Sequence, residues 1–473
     1  MKNFMKHFQV RFGVIILSFA AMSAAAVTTK PVQLSPGDNI QNAVTAAPAG
    51  TTFELSAGTY RMQSVQPKNN DIFVGEGGVI LTGAQVLSFK ADAANSSLWI
   101  ASATPAAAGS GQCQTAHPLC AYTQDLFVDS VLQTPASSSA DLKAGEWYFD
   151  RSSKTVYVPV NPAGHTVELG MTSFAFYGTA SGVQIESLTV QEYATPAQTG
   201  AVGGYKNGTG WIVSKVESRW NHGTGISLGP AGQILNSFIH NNGQMGVGIV
   251  NGSNSKIIGN EISWNNYAGY ATNWEAGGSK FWATTNLLVE SNYVHDNLGN
   301  GLWTDCDNVG TIYQGNTVVN NLNAGIQHEI SYSAVITGNT VEGNGATSNS
   351  SFWSGQIVLA NSQNVQIYFN TIEVPSGYAD GITLINEARG TGTQGVWVAS
   401  NNYVHNNTVT YQGETGQSGM ASYSGAPSPT GNRFDYNQYT LKAAGTVHWA
   451  WVNQMTWKEL QTAGQELQGT STN

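Results

Sequence analysis

Two stretches of sequence decide the fold: residues 292–302 read NYVHDNLGNGL and residues 316–326 read NTVVNNLNAGI. Each begins with asparagine, carries another asparagine five residues later, and ends on a glycine followed by an aliphatic residue. The second stretch begins 24 residues after the first. A repeat this short cannot bury its apolar face alone, so successive repeats must stack on one another. The pattern therefore predicts a solenoid.

The same pattern runs through most of the chain at spacings of 21 to 32 residues. The glycines that precede a short apolar strand are Gly225, Gly246, Gly269, Gly301, Gly325 and Gly381. The first asparagine ladder comprises Asn236, Asn260, Asn292, Asn316, Asn339 and Asn370, and the second comprises Asn241, Asn265, Asn297, Asn321 and Asn344. Stacked asparagines bond along a ladder, and we expect the glycines to occupy corners with positive φ. The sequence lacks the consensus leucines of leucine-rich repeats, and its repeats are too short for the four-stranded blades of a β-propeller.

These features resemble the right-handed β-helix superfamily, which includes pectate-lyase-like enzymes and several glycoside hydrolase families. The start Pro36–Gln41 and the Trp-rich C-terminal end are part of that resemblance. It implies an all-β fold, a right-handed parallel β-helix solenoid with an N-terminal capping helix and a small β insertion. We expect a signal peptide over 1–26, a cap and first coils over 27–89, the insertion over 90–170, coils over 171–435 and a C-terminal cap over 436–473.

The N-terminal segment and the cysteines both indicate export. Three cations at positions 2, 6 and 11 precede a short apolar run over 14–20 and three alanines at 24–26, which is typical of a secretory signal peptide. The protein is therefore predicted to be secreted or periplasmic. Export permits a disulfide between Cys113 and Cys120, which lie in one Gly/Ser-rich excursion, and leaves Cys306 unpaired.

The charge balance narrows the class of partner. The net charge is −10, and no Lys/Arg cluster interrupts it. Such a chain is a poor ligand for nucleic acid or an anionic membrane. It would also repel a polyuronate, so the acidic balance and the scarce arginines favour a neutral polysaccharide or oligosaccharide as substrate.

Counting outward from the glycines places acidic residues on one face of the solenoid. Side chains alternate along a strand, so Leu302 should point inward and Trp303 and Asp305 outward. On the next coil, Gln327 and Glu329 should point outward in the same register. Two stacked carboxylates begin about 4.8 Å apart, and their repulsion should leave one protonated and one ionised. That separation favours a retaining over an inverting glycosidase.

Further residues are expected around this pair. Asp307, Glu275 and Glu387 stand six residues past their glycines, and Asn273 should take the outward place on the coil before Asp305. The excursion over 274–285 carries Lys280, which we expect to bind a substrate oxygen or to act as a base. An outward Trp303 beside acids is typical of a platform on which a sugar ring stacks.

The stretch Gly301–Asp305, followed one coil later by His328 and Glu329, resembles the active-site coils of glycoside hydrolase family 120. That family contains β-helical β-xylosidases with a Gly-aliphatic-Trp-x-Asp nucleophile coil. The resemblance implies that Asp305 is the nucleophile and Glu329 the general acid/base.

Three functions stay open at this point. The first is a retaining glycoside hydrolase that needs no cofactor. The second is a polysaccharide lyase in which the acids bind Ca²⁺ and Lys280 or Arg219 removes a proton. The third is a glycan-binding protein without catalysis, in which Asp305 and Asp307 are ordinary solvated acids.

Overall fold

A computed structural model describes residues 30–346, 352–442 and 447–473. The predicted signal peptide over 1–26 lies outside these residues. Pro31–Asn473 forms one compact unit, and no helix in the described ranges is long and apolar enough to cross a membrane.

Three long parallel sheets, here called sheets A, B and C, run along this unit. Sheet A consists of Val32–Leu34, Thr52–Leu55, Ile72–Gly75, Gln184–Glu186, Ile212–Ser214, Gln233–Leu235, Lys256–Ile258, Leu288–Glu290, Thr311–Gln314, Ala334–Thr337, Val365–Tyr368, Tyr403–His405 and Arg433–Asp435. Sheet B consists of Gly58–Arg61, Val79–Thr82, Thr189–Gln191, Glu217–Arg219, Phe238–His240, Glu261–Ser263, Tyr293–His295, Thr317–Val319, Thr340–Glu342, Thr371–Val374, Thr408–Tyr411, Gln438–Leu441 and Thr470–Thr472. Sheet C consists of Phe176–Gly178, Gly200–Asn207, Thr224–Leu228, Met245–Val250, Gly277–Trp282, Leu302–Asp305, Ile326–Glu329, Gly355–Ala360, Asp380–Asn386, Ser418–Ser422, Trp449–Trp451 and Asn453–Met455.

Up to Thr82 the first coils contribute strands to sheets A and B only, and from Gln184 to Trp451 each coil visits the three sheets in the order A, B, C and then rises to the next coil. Strand pairing is parallel throughout, except for the last strand of sheet C, which pairs antiparallel. The predicted fold of stacked coils with three short parallel strands is thereby confirmed. One continuous apolar core fills the interior, and the first coils stack like residues in it, as in Phe53 and Phe73 with ring centroids 5.0 Å apart.

Of the six recurring glycines only Gly269 has a positive φ, so the expectation of left-handed corners was wrong for the other five, which serve close packing. Gly301 does not have a positive φ, and a Cβ built on it would lie 2.7 Å from the carbonyl oxygen of Gly325 and 2.9 Å from Nδ2 of Asn321. Gly325 is equally crowded against Asn344. The backbone of each coil thus passes directly beside a ladder asparagine, and a side chain larger than hydrogen would collide with it.

Both asparagine ladders are present from the coil of Asn260 onward, but their first members are shifted by one residue. Ser237, not Asn236, donates its backbone N–H to Asn260, and Asn242, not Asn241, bonds Asn265. Asn236 and Asn241 instead have positive φ. Asparagine is tolerated in that left-handed conformation as well as in a ladder, so residue type alone did not distinguish the two positions.

Each step of the first ladder pairs the hydrogen-bond donors of a buried asparagine. Asn292 donates its backbone N–H and its Nδ2 to Oδ1 of Asn316, at 3.0 and 2.9 Å, and also donates to the carbonyl oxygen of Ile257. The first ladder ends at the C-terminus on Glu466, whose Oε1 accepts from Nδ2 of Asn437. The second ladder ends on the amide of Gln356, which accepts both donors of Asn344.

Short helices cover the two ends of the solenoid. Helix α1 spans Ile40–Ala46 and buries Ile40 and Val44 on the first coils, with Asn39 as its N-cap. This is the predicted N-terminal capping helix. Helix α2, which spans Thr272–Glu275, lies within a coil and covers neither end. Helix α3 spans Trp457–Thr462, begins with a capping box on Thr456 and buries Leu460.

The predicted β insertion consists of two small sheets beside the solenoid. One contains Val131–Leu132, Leu126–Val128, Val167–Gly170 and Ala84–Val86, and the other contains Thr134–Pro135, Glu146–Asp150, Thr155–Val158, Trp99–Ser102 and Lys90–Ala91. The expected hairpin is present, since Glu146–Asp150 pairs antiparallel with Thr155–Val158. The insertion also carries the predicted disulfide Cys113–Cys120, with Cα atoms 5.6 Å apart. A short hairpin of Thr391–Gly392 and Gly395–Val396 projects from a later coil.

Candidate active site

The two predicted acids are register partners on adjacent strands of sheet C. Leu302–Asp305 pairs in parallel with Ile326–Glu329, so that Asp305 stands opposite Glu329 and Trp303 opposite Gln327. Parallel strands lie about 4.8 Å apart. Leu302 and Ile326 belong to the interior core, and the alternation of the strand therefore directs both acids to the outer face of the sheet.

Asp305 forms an ion pair with a buried lysine. Nζ of Lys280 lies 2.9 Å from Oδ2 of Asp305 and 2.9 Å from Oε1 of Glu275. Lys280 is only 6% exposed. Burial alone would lower the pKa of its ammonium group, but the charges of Asp305 and Glu275 outweigh burial and raise it. Lys280 therefore stays charged within its two ion pairs.

One oxygen of Asp305 is left without a partner. Its Oδ1 is buried and receives no hydrogen bond from any described residue, whereas Oδ2 contacts Lys280. The lone pairs of this oxygen are therefore not engaged by any described residue.

Glu329 has a different environment from Asp305. Its Oε1 lies 2.7 Å from Nη1 of Arg389, and its Oε2 accepts from Nε2 of Gln327 at 2.7 Å and from Nε1 of Trp303 at 3.2 Å. Burial and, secondarily, the charge of Asp305 raise the pKa of Glu329, although Arg389 and Gln327 oppose the rise. Burial thus favours the protonated form of Glu329.

Trp303 contacts Glu329 and Lys280, so its ring is not free to stack on a sugar. It is 5% exposed, it donates to Glu329, and Nζ of Lys280 lies 4.0 Å from its ring centroid. One ring face is therefore occupied by a cation. An exposed indole stands on the preceding coil, where Trp282 is the register partner of Asp305 and is 40% exposed.

The preceding coil differs from the sequence prediction in its register. Gly277–Trp282, and not the segment after Gly269, pairs with Leu302–Asp305. Asn273 and Glu275 consequently lie in helix α2 and not in the outward strand positions expected for them. Gly269 has a positive φ in a turn, so it is not equivalent to Gly301. Glu275 still reaches the site through Lys280 and through Nε2 of Gln198 at 2.5 Å, whereas Asn273 is exposed.

Asp307 and Glu387 lie at the margin of the site. The strand of Asp305 ends there, and Asp307 has a positive φ of 57°. Its Oδ1 accepts from Nε1 of Trp397 and from the backbone N–H of Thr393, both at 3.1 Å. The Asp307 side chain therefore anchors the hairpin of Thr391–Gly392 and Gly395–Val396. These contacts are structural, and they do not involve Asp305 or Glu329. Glu387 lies 4.0 Å from Arg389.

Arg389 is a residue of the candidate site that the sequence analysis did not single out. It sits in the loop after the strand Asp380–Asn386 and reaches back across coils to Glu329. A usable signal existed, because Arg389 follows by two residues a glutamate expected at the outer face. Asking which cations could neutralise stacked acids would have drawn attention to it in a chain with few arginines.

Two nearby groups are not suited to acid/base or nucleophilic chemistry. His328 is fully buried in the interior, where its Nδ1 contacts Oγ1 of Thr304 at 2.7 Å, and burial lowers its pKa to about 4. Burial and the charge of Asp305 raise the pKa of the Cys306 thiol to about 11. Within the described ranges, no group of three or more His, Cys, Asp or Glu side chains is arranged to hold a metal ion.

Comparisons with known proteins agree with this architecture. Residues 201–372 match the family described as the right handed beta helix region, and no curated protein sequence matches significantly. XylC, solved in complex with xylose, has a TM-score of 0.69 and 16% identity over 87% of this chain and 82% of XylC. The A-module of the Azotobacter vinelandii mannuronan C-5 epimerase AlgE6 has a TM-score of 0.49 and 14% identity over 92% of this chain and 93% of its own.

At such low identity these similarities show the fold alone. The parallel coils and the matched family together show that this chain is a right-handed parallel β-helix protein.

Proposed function

We propose that this protein is a secreted, retaining glycoside hydrolase in which Asp305 is the nucleophile and Glu329 the general acid/base. The observation that supports this most strongly is the unequal environment of two register partners. Asp305 is neutralised by Lys280 and keeps one free oxygen, while burial and its neighbour raise the pKa of Glu329. An ionised and a protonated carboxyl on adjacent strands are what a retaining glycosidase uses.

In the first step, Oδ1 of Asp305 bonds to the anomeric carbon as the glycosidic C–O bond breaks. The proton of Glu329 passes to the leaving oxygen, so the first product leaves neutral. Asp305 becomes an ester and loses its negative charge. Because that charge contributes to the raised pKa of Glu329, its loss lowers the pKa and prepares Glu329 to act as a base.

In the second step, Glu329 removes a proton from water as the water oxygen attacks the anomeric carbon. The ester bond breaks, Asp305 returns to a carboxylate, and two inversions give net retention. Lys280 positions the Asp305 carboxylate throughout. Arg389 and Trp303 position Glu329, and neither needs to exchange a proton.

The substrate class is proposed from charge and from fold-level similarity. The net charge of −10 disfavours a polyuronate. The similar structure of XylC was solved with xylose, so aryl xylosides and xylo-oligosaccharides are the first substrates to assay.

The calcium-dependent lyase is a weaker alternative. Its expected base, Lys280, bridges two carboxylates and has a raised pKa, so it does not readily accept a proton. Arg219 lies in sheet B, where it bonds Glu217 and Gln191. Of the acids that would bind Ca²⁺, Glu275 and Asp305 contact Lys280 and Glu329 contacts Arg389, so a metal ion would have to displace these side chains.

Product analysis with paired variants tests the proposal. We expect new reducing ends without unsaturated uronate, and we expect Asp305→Asn to lower kcat by at least about 10³-fold. Glu329→Ala should retain the first step on an activated aryl glycoside and be rescued by azide, which needs no base, to give a glycosyl azide of retained configuration.

A matched control exists on sheet B. Glu342 and Glu373 are also register partners on adjacent coils, but Glu373 is exposed. Glu373→Gln should leave turnover unchanged. Inverted product, or an unsaturated uronate that appears only with calcium, would refute the retaining mechanism. Binding of glycans without turnover by the unaltered protein would support the non-catalytic alternative.

A further inference from the structure

A cavity of about 510 Å³ lies between the β insertion and the coils beside it. Its wall includes the disulfide loop up to Cys120, the insertion residues Trp147 and Arg151, and the coil residues His222 and Tyr267. None of the side chains that contact Asp305 or Glu329 lines it. The volume lies within the range of about 300–1,000 Å³ that small-molecule sites occupy.

Two buried donors in the cavity wall lack an acceptor. Nε1 of Trp147 and Nε of Arg151 receive no partner from any described residue, and Trp147 is only 2% exposed. Buried donors in native proteins are nearly always paired. Both unpaired donors belong to residues that line the cavity.

Arg151 also lacks a counter-charge. No carboxylate in the described part of the chain lies within ion-pair distance of it, and its guanidinium instead stacks on Tyr122 with the carbon centre 3.9 Å from the ring centroid. The acid in the cavity wall, Asp125, is already engaged by Nδ1 of His222 at 2.8 Å and by the hydroxyl of Tyr267 at 2.7 Å. The positive charge of Arg151 is thus not compensated by a described carboxylate, and guanidinium groups bind carboxylates well.

We propose that this cavity is a second ligand site that binds a uronic acid, with its carboxylate on Arg151 and its ring against the aromatic wall. Aromatic faces match the apolar face of a pyranose. The choice of a sugar acid over other organic carboxylates rests on the proposed carbohydrate function. The carboxylate site itself rests only on the cavity.

Isothermal titration of the full-length mature protein with sodium D-glucuronate at constant ionic strength tests the proposal. We expect saturable binding of one molecule per chain, with D-glucose and benzoate each at least about tenfold weaker. Arg151→Gln should weaken glucuronate binding by about 10- to 100-fold, since a charge-assisted pair is lost. Arg151→Lys keeps the positive charge but lacks the planar guanidinium group. Its affinity for glucuronate should therefore lie between that of the unaltered protein and that of Arg151→Gln.

Control variants separate this site from the proposed active site. Lys143→Gln removes an exposed cation of the same insertion, and it should bind glucuronate like the unaltered protein, as should Asp305→Asn. Thermal unfolding checks that each variant is folded. If Arg151→Gln does not fold, the glucuronate affinity of Arg151→Lys provides the test. Absence of binding, equal binding of glucose, or loss of binding in Asp305→Asn would overturn the proposal. Benzoate binding as tightly as glucuronate would overturn the assignment to a sugar acid. Because turnover is not measured, these outcomes are independent of whether the protein is a hydrolase.

Discussion

The end of the first asparagine ladder provides a prediction whose size follows from the structure. Glu466 accepts hydrogen bonds from Nδ2 of Asn437 at 2.6 Å and from the hydroxyl of Tyr439 at 2.9 Å, and it is fully buried. Burial raises the pKa of Glu466 from 4.5 to about 7. A carboxyl whose pKa is higher in the folded protein favours folding when protonated, so its stabilising contribution is present below about pH 4.5 and is lost as the pH rises through about 7.

The size of that loss follows from the two pKa values. A rise from 4.5 to about 7 corresponds to about 3 kcal/mol of unfolding free energy between acidic and basic pH. Glu466→Gln should remove this dependence. The variant's ladder contacts have a precedent in the same molecule, since Gln356 ends the second ladder with Oε1 accepting both the backbone N–H and Nδ2 of Asn344.

Relative to the unaltered protein, we therefore expect Glu466→Gln to gain about 3 kcal/mol of unfolding free energy when the pH rises from 4.5 to 8.5. Urea unfolding at a series of pH values measures this difference, and titration of all other groups cancels in it. Glu414→Gln, at an exposed glutamate, serves as the control and should show no such shift. A difference that is constant with pH would refute the reasoning.

Three further perturbations have expected outcomes. Lys280→Met leaves Asp305 buried without its cation and should lower the unfolding free energy at pH 7 by about 3–5 kcal/mol, as measured by urea unfolding, with partial recovery in acid where the carboxylate is protonated. Asn316→Ala interrupts the first ladder and leaves several buried groups unpaired, so differential scanning calorimetry should detect a loss of more than about 2 kcal/mol, while Asn453→Ala, at an exposed asparagine without a positive φ, should be nearly neutral. Titration of unfolded, unreduced protein should find one reactive thiol, that of Cys306, and three reactive thiols would contradict the disulfide.

The solenoid was predictable because its signals are local and repeated. Each coil presents an asparagine, another five residues later, and a glycine before an apolar strand, as in 292–302 and 316–326. Parallel stacking of equal coils brings equivalent residues into register, so counting from Gly301 and Gly325 was sufficient to pair Asp305 with Glu329. This counting failed across the longer coil that contains Gly269, because the inserted helix α2 moves the strand onto Gly277–Trp282.

Stacked acids alone do not distinguish a candidate active site from a solvated surface. Glu342 and Glu373 show the same register pairing on sheet B. What differs is burial and the neighbouring charges, since Glu329 is 6% exposed and contacts Arg389. Neither property is encoded by the spacing of the acids, because both depend on loops that return to the groove from other coils.

The sequence by itself therefore determined the coil, its length and the outward alignment of Asp305 with Glu329, because strand periodicity and stacking are local properties repeated along the chain. Only the tertiary structure decided that Lys280 pairs with Asp305, that Arg389 pairs with Glu329, and that Trp303 is buried between them. Loop excursions differ in length from coil to coil and follow no repeat. Arg389 comes from such a loop, and Lys280 comes from the strand Gly277–Trp282, whose register helix α2 shifts, so both contacts became visible only in three dimensions.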